Sequence, residues 1–474
     1  MAIPKEILSI ERPKGTIVRN SFGIYSVVKR SSKYVNGKAI PYNIAVIGRI
    51  ENGKYIALKE PKYMKNNKKV VTTIKDYGNV AIFQKHGKNI YEQSQKHFDE
   101  LTAKKIYLIS LIRCAYPKAT NRDLKFYYET SFLSELFKNV GLSESMMPDF
   151  FERVGRDYAK IENFMVDRIN QFKKSIQIID GTLKSYNSDD SVFSKWTRKG
   201  KIKGSKDFTL LYTYDLKTKE PIYGRPYAGN MLDCTIFEDY LENIAKNDEL
   251  IVGDKGYWNS KIIKKIEEHK KMRYLFPIKR SSKLISANNL MDNLIPLMIK
   301  DRNLLGKITN IGNKYYYTIK DLDIEANERK VLFKMSQKKN NFEFQKFNDE
   351  TINLGTIIFE SNSKLSLEDV YTIYSQRWEI EEMFRFYKNI LELPKTGVHS
   401  EYSLYTTEFI NYISLIISMR VKNELTRLNL AEKYSYNQII NYLKSFKKQS
   451  SNGVDWRNTK LLNYIEKLAE ILAI

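Results

Sequence analysis

An α/β protein of several domains is what this sequence predicts, and three observations predict it. Apolar and polar residues alternate near the N-terminus, the apolar period turns helical from about Tyr91 to Phe172, and the middle of the chain runs strand, strand, strand, helix, strand, helix, strand. With 474 residues, 42% of them hydrophobic and 13% aromatic, the chain is long enough for two to four domains with cores of their own and is not a generally disordered one.

Each region follows from its pattern. In residues 1–90 the segment "GIYSVVKRSSKYVNGKAIPYNIAVIGRIENGKYIAL" alternates between turn signals at Asn36-Gly37 and Asn52-Gly53, which predicts a small antiparallel sheet. Residues 91–172, with "FDELTAKKIYLISLIRCAY" and "FMVDRINQFKKS", predict a helical region. In 173–302, "SIQIID" reads as a strand ending in Asp180, "FTLLYTYDL" and "PIYGRPY" as two more, and "DCTIFEDYLENIAK" as a helix. "ELIVGDKGY" follows as a buried strand ending in Asp254, then "NSKIIKKIEEHK" as a helix capped by Asn259, then "RYLFPIK" as a fifth strand. Residues 303–362 hold short alternating segments, "KYYYTIKDL" and "KVLFKMS", which predict an inserted β domain. Residues 363–430 carry "YSQRWEIEEMFRFYK" and "TTEFINYISLIISMRVKNEL" as helices, and 431–474 read as C-terminal helices.

Lysine and arginine exceed aspartate and glutamate by 79 − 55 = 24 charges, spread along most of the chain. Such a surface attracts polyanions, nucleic acid first among them, although an AT-rich gene would also enrich lysine. No apolar signal core opens the chain, and the run "ISLIISM" is far below the ~20 residues that span a bilayer, so a soluble cytoplasmic protein is expected. Cys114 and Cys234 are too few for a disulfide framework, and His86, His97, His269 and His399 lack metal-ligand spacing. Any metal would have to be held by carboxylates.

Three carboxylates stand out. Asp180 and Asp254 each end an apolar strand with a glycine close behind, and the carboxyl edge of a sheet is where open α/β folds place their ligands. Aspartate also ends strands as a turn former, so neither alone decides the matter. The third is Glu381. Treating Tyr374 to Lys388 as one helix places Arg377, Glu381 and Lys388 within about 60° of Tyr374, on one stripe. Ile373, Ile380, Phe384 and Tyr387 cluster about 90° away and would pack the helix down. A solvated face with i, i+4 charge pairs would give the same stripe.

The order of these acids, one on the first strand, one on the fourth and one on a later helix, resembles the ribonuclease-H-like nucleases. The spacing Tyr374, Arg377, Glu381, Lys388 resembles the Y-R-E-K signature of bacterial insertion-sequence transposases of the DDE class, the insertion-sequence-four superfamily. "IIDGT", "KGSKD", "YAGNMLD", "IVGDKGY" and "GTIIFESN" resemble blocks around the catalytic acids of such enzymes, and the likeness runs from about Ile176 to Val421. The resemblance implies a ribonuclease-H-like catalytic core, 173–302 and 363–430, interrupted by the inserted β domain. It implies that Asp180, Asp254 and Glu381 are catalytic and hold two Mg²⁺ ions, with Mn²⁺ as substitute. It implies that Tyr374, Arg377 and Lys388 contact DNA phosphates, that residues 91–172 bind DNA ends, and that the working complex on double-stranded DNA is a homodimer.

Other basic residues are candidates for DNA contact: Lys195, Arg198 and Lys199 in "KWTRKGKIKG", which also fits a solvated loop, and Lys279 and Arg280 after the fifth strand. Asp233 reads as a helix N-terminal acid, and Trp258 and Trp378 as core residues. Two rival readings fit the same residues: a structure-specific nuclease on the same fold, and a catalytically silent DNA-binding derivative.

Overall fold

The computed structural model of the chain describes residues 3–35, 38–58, 72–172, 174–186, 193, 195–196, 206–243, 248–269, 271–299, 301–337, 351–392, 395–396, 398 and 400–474. Contacts divide the chain into two units, Met1–Thr73 with Ser450–Asp455, and Ile74–Gln449 with Trp456–Ile474.

The first unit is a four-stranded antiparallel sheet in sequential order, Thr16–Ser21, Ile24–Val35, Lys38–Glu51 and Lys54–Ala57. Asn52 and Gly53 have φ of 50° and 69° and join the paired Glu51 and Lys54, a two-residue turn with both central residues left-handed. The Asn36-Gly37 signal lies outside the described residues, while its neighbours Val35 and Lys38 pair. Val18, Val27 and Ile50 form the small core.

In the second unit the 27-residue helix Glu401–Arg427 is buried on nearly all sides through its first five turns, as its mixed apolar and small polar sequence permits. The helices Gly78–Ser94, Glu100–Ala115 and Met147–Arg156 pack on it. A Cβ on Gly155 would overlap the backbone of Tyr402, so glycine sets how closely two of these helices approach. Helix begins at Gly78, ahead of the expected Tyr91, because Val80, Phe83, Gly87 and Ile90 already share a buried helical face.

An eleven-stranded sheet lies against this bundle. Its centre is the strand Ile176–Tyr186, with antiparallel Lys206–Asp215 and then Glu220–Ala228 on one side. On the other side come parallel Leu250–Val252 and, parallel to that, Arg273–Pro277. Beyond Arg273–Pro277 the sheet continues through antiparallel Thr356–Ser361, Lys314–Asp321, Arg302–Ile311 and Ile295–Ile299. The expected strand "KVLFKMS" is instead part of the helix Leu322–Gln337, because its short alternation also fits one turn after another of a helix.

Candidate functional site

The site forms where the central strand outruns its parallel neighbour. Ile178 pairs with Val252, and there the strand Leu250–Val252 stops; Asp180 and Asp254 each lie two residues beyond that last pair. Neither acid is the last residue of its strand, as the sequence had suggested. Asp180 sits mid-strand, opposite Tyr212, because its antiparallel ladder to Lys206–Asp215 continues for five more pairs. Asp254 stands in the loop after its strand, its Oδ1 accepting from the Lys255 amide at 2.8 Å and its carbonyl from the Tyr257 amide at 3.0 Å.

The segment carrying the third acid is two helices, Leu367–Ser375 and Trp378–Asn389, rather than one. Gln376 and Arg377 make the joint through short-span bonds, Arg377 N to Tyr374 O at 3.0 Å and Glu379 N to Gln376 O at 3.0 Å. Arg377 therefore stands at the start of the second helix, one turn before Glu381. Its guanidinium forms an ion pair with Glu381 Oε1 at 2.9 Å, reaches Asp180 Oδ2 at 4.0 Å and lies 5.8 Å over the Tyr374 ring. Tyr374 is held edge-on by Phe359, ring centres 4.6 Å apart. Ile373, Ile380, Phe384 and Tyr387 are buried, as their stripe predicts.

Electrostatics bind the group into one site. Burial pushes the Asp180 carboxyl up to about 6; the Gly181 amide and Arg377 oppose this, and the charges of Asp254 and Glu381 add to it. The Arg377 guanidinium rises despite its burial, because Tyr374, Asp254, Asp180 and Glu381 all face it. Among the described residues no three His, Cys, Asp or Glu side chains stand close enough together to hold a metal ion. The donor set of three carboxylates suits a hard divalent ion, while in this arrangement an arginine occupies the ground between Asp180 and Glu381.

Lys388 donates to Thr182 Oγ1 at 2.7 Å and to the Leu183 carbonyl at 2.8 Å, two and three residues along the strand from Asp180. Lys279 and Arg280 line an open cavity of about 810 Å³ together with Asp254, Glu328, Tyr374 and Arg377. Arg280 is forked onto Glu328 at 3.1 Å twice and donates to the Thr356 carbonyl. Lys195 starts a two-residue strand whose backbone pairs with Asp207, and Arg198 and Lys199 lie outside the described residues.

Tyr257 was missed by the sequence reading. It is buried, and after burial itself the carboxylates of Asp180, Asp233 and Asp254 drive its hydroxyl pKa well upward, which places its ring among the acids. The only sequence signal was its place in "GDKGY". Asp233 opens the helix Asp233–Asn243 as expected, and its Oδ2 also borders Gly256. Trp258 packs partly buried and donates to Glu360 at 3.1 Å. Trp378 is 52% exposed, not a core residue, because the helix joint turns it outward beside Arg377.

A further cluster braces the site from behind. Lys184 Nζ donates to Glu408 Oε1 and to the Tyr387 hydroxyl, both at 2.7 Å, and that hydroxyl donates to Glu408 Oε2 at 2.7 Å, all fully buried. This ties the strand of Asp180 to the helix of Glu381 and to the central helix Glu401–Arg427.

Among solved structures, the piggyBac transposase synaptic complex with hairpin DNA is similar over 78% of this chain and 80% of that one, at TM-score 0.41 and 11% identity. No curated protein matches the sequence. No helix among the described residues is long and apolar enough to cross a membrane. Residues 171–401, the stretch that carries Asp180, Asp254, Tyr374, Arg377, Glu381 and Lys388, match the model of the transposase DDE domain family.

Proposed function

We propose that this chain is a DNA transposase of the DDE class, of the insertion-sequence-four kind with the Y-R-E-K signature, that cuts the ends of a mobile element and joins them to target DNA. The observation that carries the proposal is the family match over residues 171–401, inside which three carboxylates face one arginine. The strand order supports a ribonuclease-H-like core: three antiparallel strands, then two parallel ones on the far side of the first. The edge strands between Ile295 and Asp321, ahead of the helix of Glu381, support the inserted segment.

Asp180, Asp254 and Glu381 would hold two Mg²⁺ ions, with Mn²⁺ as substitute, once they draw closer than they stand here and Arg377 leaves the ground between Asp180 and Glu381. When bound, the ions supply Lewis acidity and an activated water for phosphodiester hydrolysis. The residues do the rest. Arg377 offsets repulsion among the acids and presents a planar fork suited to a phosphate, with Tyr374 holding it from below. Lys388 brings positive charge beside the scissile phosphate while its bonds to Thr182 and Leu183 keep helix and strand in register. Hydrolysis leaves a 3′-hydroxyl, and that hydroxyl then displaces a bridging oxygen of target DNA, a second in-line transfer at the same acids. A homodimer on double-stranded DNA, each subunit cutting an end that the other helps bind, completes the proposal, and the cytoplasm near the nucleoid is its place of action.

Purified protein incubated with Mg²⁺, a duplex bearing the source element's ends and a target plasmid should cut the ends and join them. Cutting without joining identifies a nuclease, and binding without cutting a silent derivative.

A further inference from the structure

The β-hairpin of the first unit outgrows its own sheet. The strand Thr16–Ser21 pairs only with Ile24 to Lys29, and Lys54–Ala57 only with Gly48 to Glu51. Past those limits Arg30 to Val35 pairs with Lys38 to Asn43 as a two-stranded arm, about 20 Å long at ~3.4 Å per residue. Ile40 and Tyr42 are exposed on it and Ile44 and Val46 just before it, with Arg30, Lys33 and Lys38 on the arm and Lys29 at its base. From Arg12 to Ile50 the sequence has eight lysines and arginines and no acid.

We propose that this arm is a DNA-binding ribbon that lies in the major groove of double-stranded DNA. A two-stranded ribbon fits a groove about 12 Å wide, and the arm's cations reach the flanking phosphates while Tyr42 and its apolar neighbours meet base edges and thymine methyls. Charge selects the partner. A second copy would bring the same eight cations against these and be repelled. Duplex RNA is a poorer match, because its major groove is too deep and narrow for the ribbon. Lysine and Pro41 on the strands also deter edge-to-edge pairing, which fits an arm meant to stay open to another partner. The inference rests on DNA being the partner in the function proposed above, and it assigns that contact to a region other than the 91–172 helices.

The test uses the full chain with Lys29, Arg30, Lys33 and Lys38 all changed to glutamine. A control carries Lys88→Gln, Lys433→Gln, Lys460→Gln and Lys467→Gln, an equal charge change at exposed sites of the other unit outside the 91–172 helices. Affinity for a 30-base-pair duplex is measured against salt, with melting curves showing that both variants fold. The arm variant should bind at least tenfold more weakly, and its slope of log affinity against log salt should fall by about 3 to 4, against little change in the control. Equal loss in both variants, arm-dependent binding of duplex RNA as tight as of DNA, or a change confined to sedimentation would overturn the arm. Wild-type protein that binds no DNA overturns the functional proposal too, whereas normal arm-dependent binding with no cleavage leaves the arm standing alone.

Discussion

At the scale of the residue, Glu381 differs from the two glutamates beside it. Glu381 meets Arg377, whereas Glu379 takes the Tyr214 hydroxyl at 3.2 Å and Lys219 at 3.4 Å, and Glu382 faces Arg385 and Lys422. Glu381→Gln should therefore lower end cleavage by about a hundredfold or more while DNA binding persists, and Glu379→Gln and Glu382→Gln should cleave at near wild-type rates. Gel-resolved cleavage kinetics decide it; the reverse ranking would show the helix register to be wrong. Asp180 gives a pH test. Its carboxyl keeps its proton to about pH 6 in the fold and only to about pH 3.9 in the unfolded chain. The folded state thus binds more protons between those values, so stability falls as pH rises from about 4 to 6 and levels off above. Asp180→Asn should remove that loss. In melts run with chelator at pH 4, 5, 6 and 7, the variant should gain on the wild type up to pH 6 and hold the gain at 7, while failing to cleave.

At the scale of the element, the Lys184, Tyr387 and Glu408 cluster fixes one strand and two helices by charge inside the core. Removing one partner strands the other, so Lys184→Met or Glu408→Gln alone should cost about 3 to 5 kcal/mol in urea unfolding. Lys184→Met with Glu408→Leu should cost less than the sum, since no unpaired charge is left. Gly155→Ala tests the helix crossing: the added methyl has only the Tyr402 backbone to meet, and a loss of about 1 to 3 kcal/mol is expected.

At the scale of the whole molecule, 24 excess positive charges should make DNA affinity strongly dependent on salt. Binding to a fixed duplex should weaken by about a thousandfold or more between 50 and 200 mM salt, as for a protein that neutralises about six or more phosphates. Titrations at several salt concentrations measure this, and a flat profile would mean the charge reflects gene composition alone. Cleavage should stop in excess chelator and return with Mg²⁺ or Mn²⁺.

The sequence by itself determined which segments become strands and helices wherever periodicity was long and turn chemistry explicit, as at Asn52-Gly53 and at Asn259, whose side chain accepts from the Ile262 amide at 2.8 Å. It also determined the charge and the candidate acids, because these are properties of residue type. Only the tertiary structure decided where strands stop, since a strand ends when its neighbour's ladder ends: Asp180 sits mid-strand because Lys206–Asp215 keeps pairing with it. Tertiary packing likewise set the joint at Gln376 and Arg377, the exposure of Trp378 and the burial of Tyr257 among carboxylates. Each depends on residues remote in the chain, and a pattern read along one segment carries no record of what will pack against it.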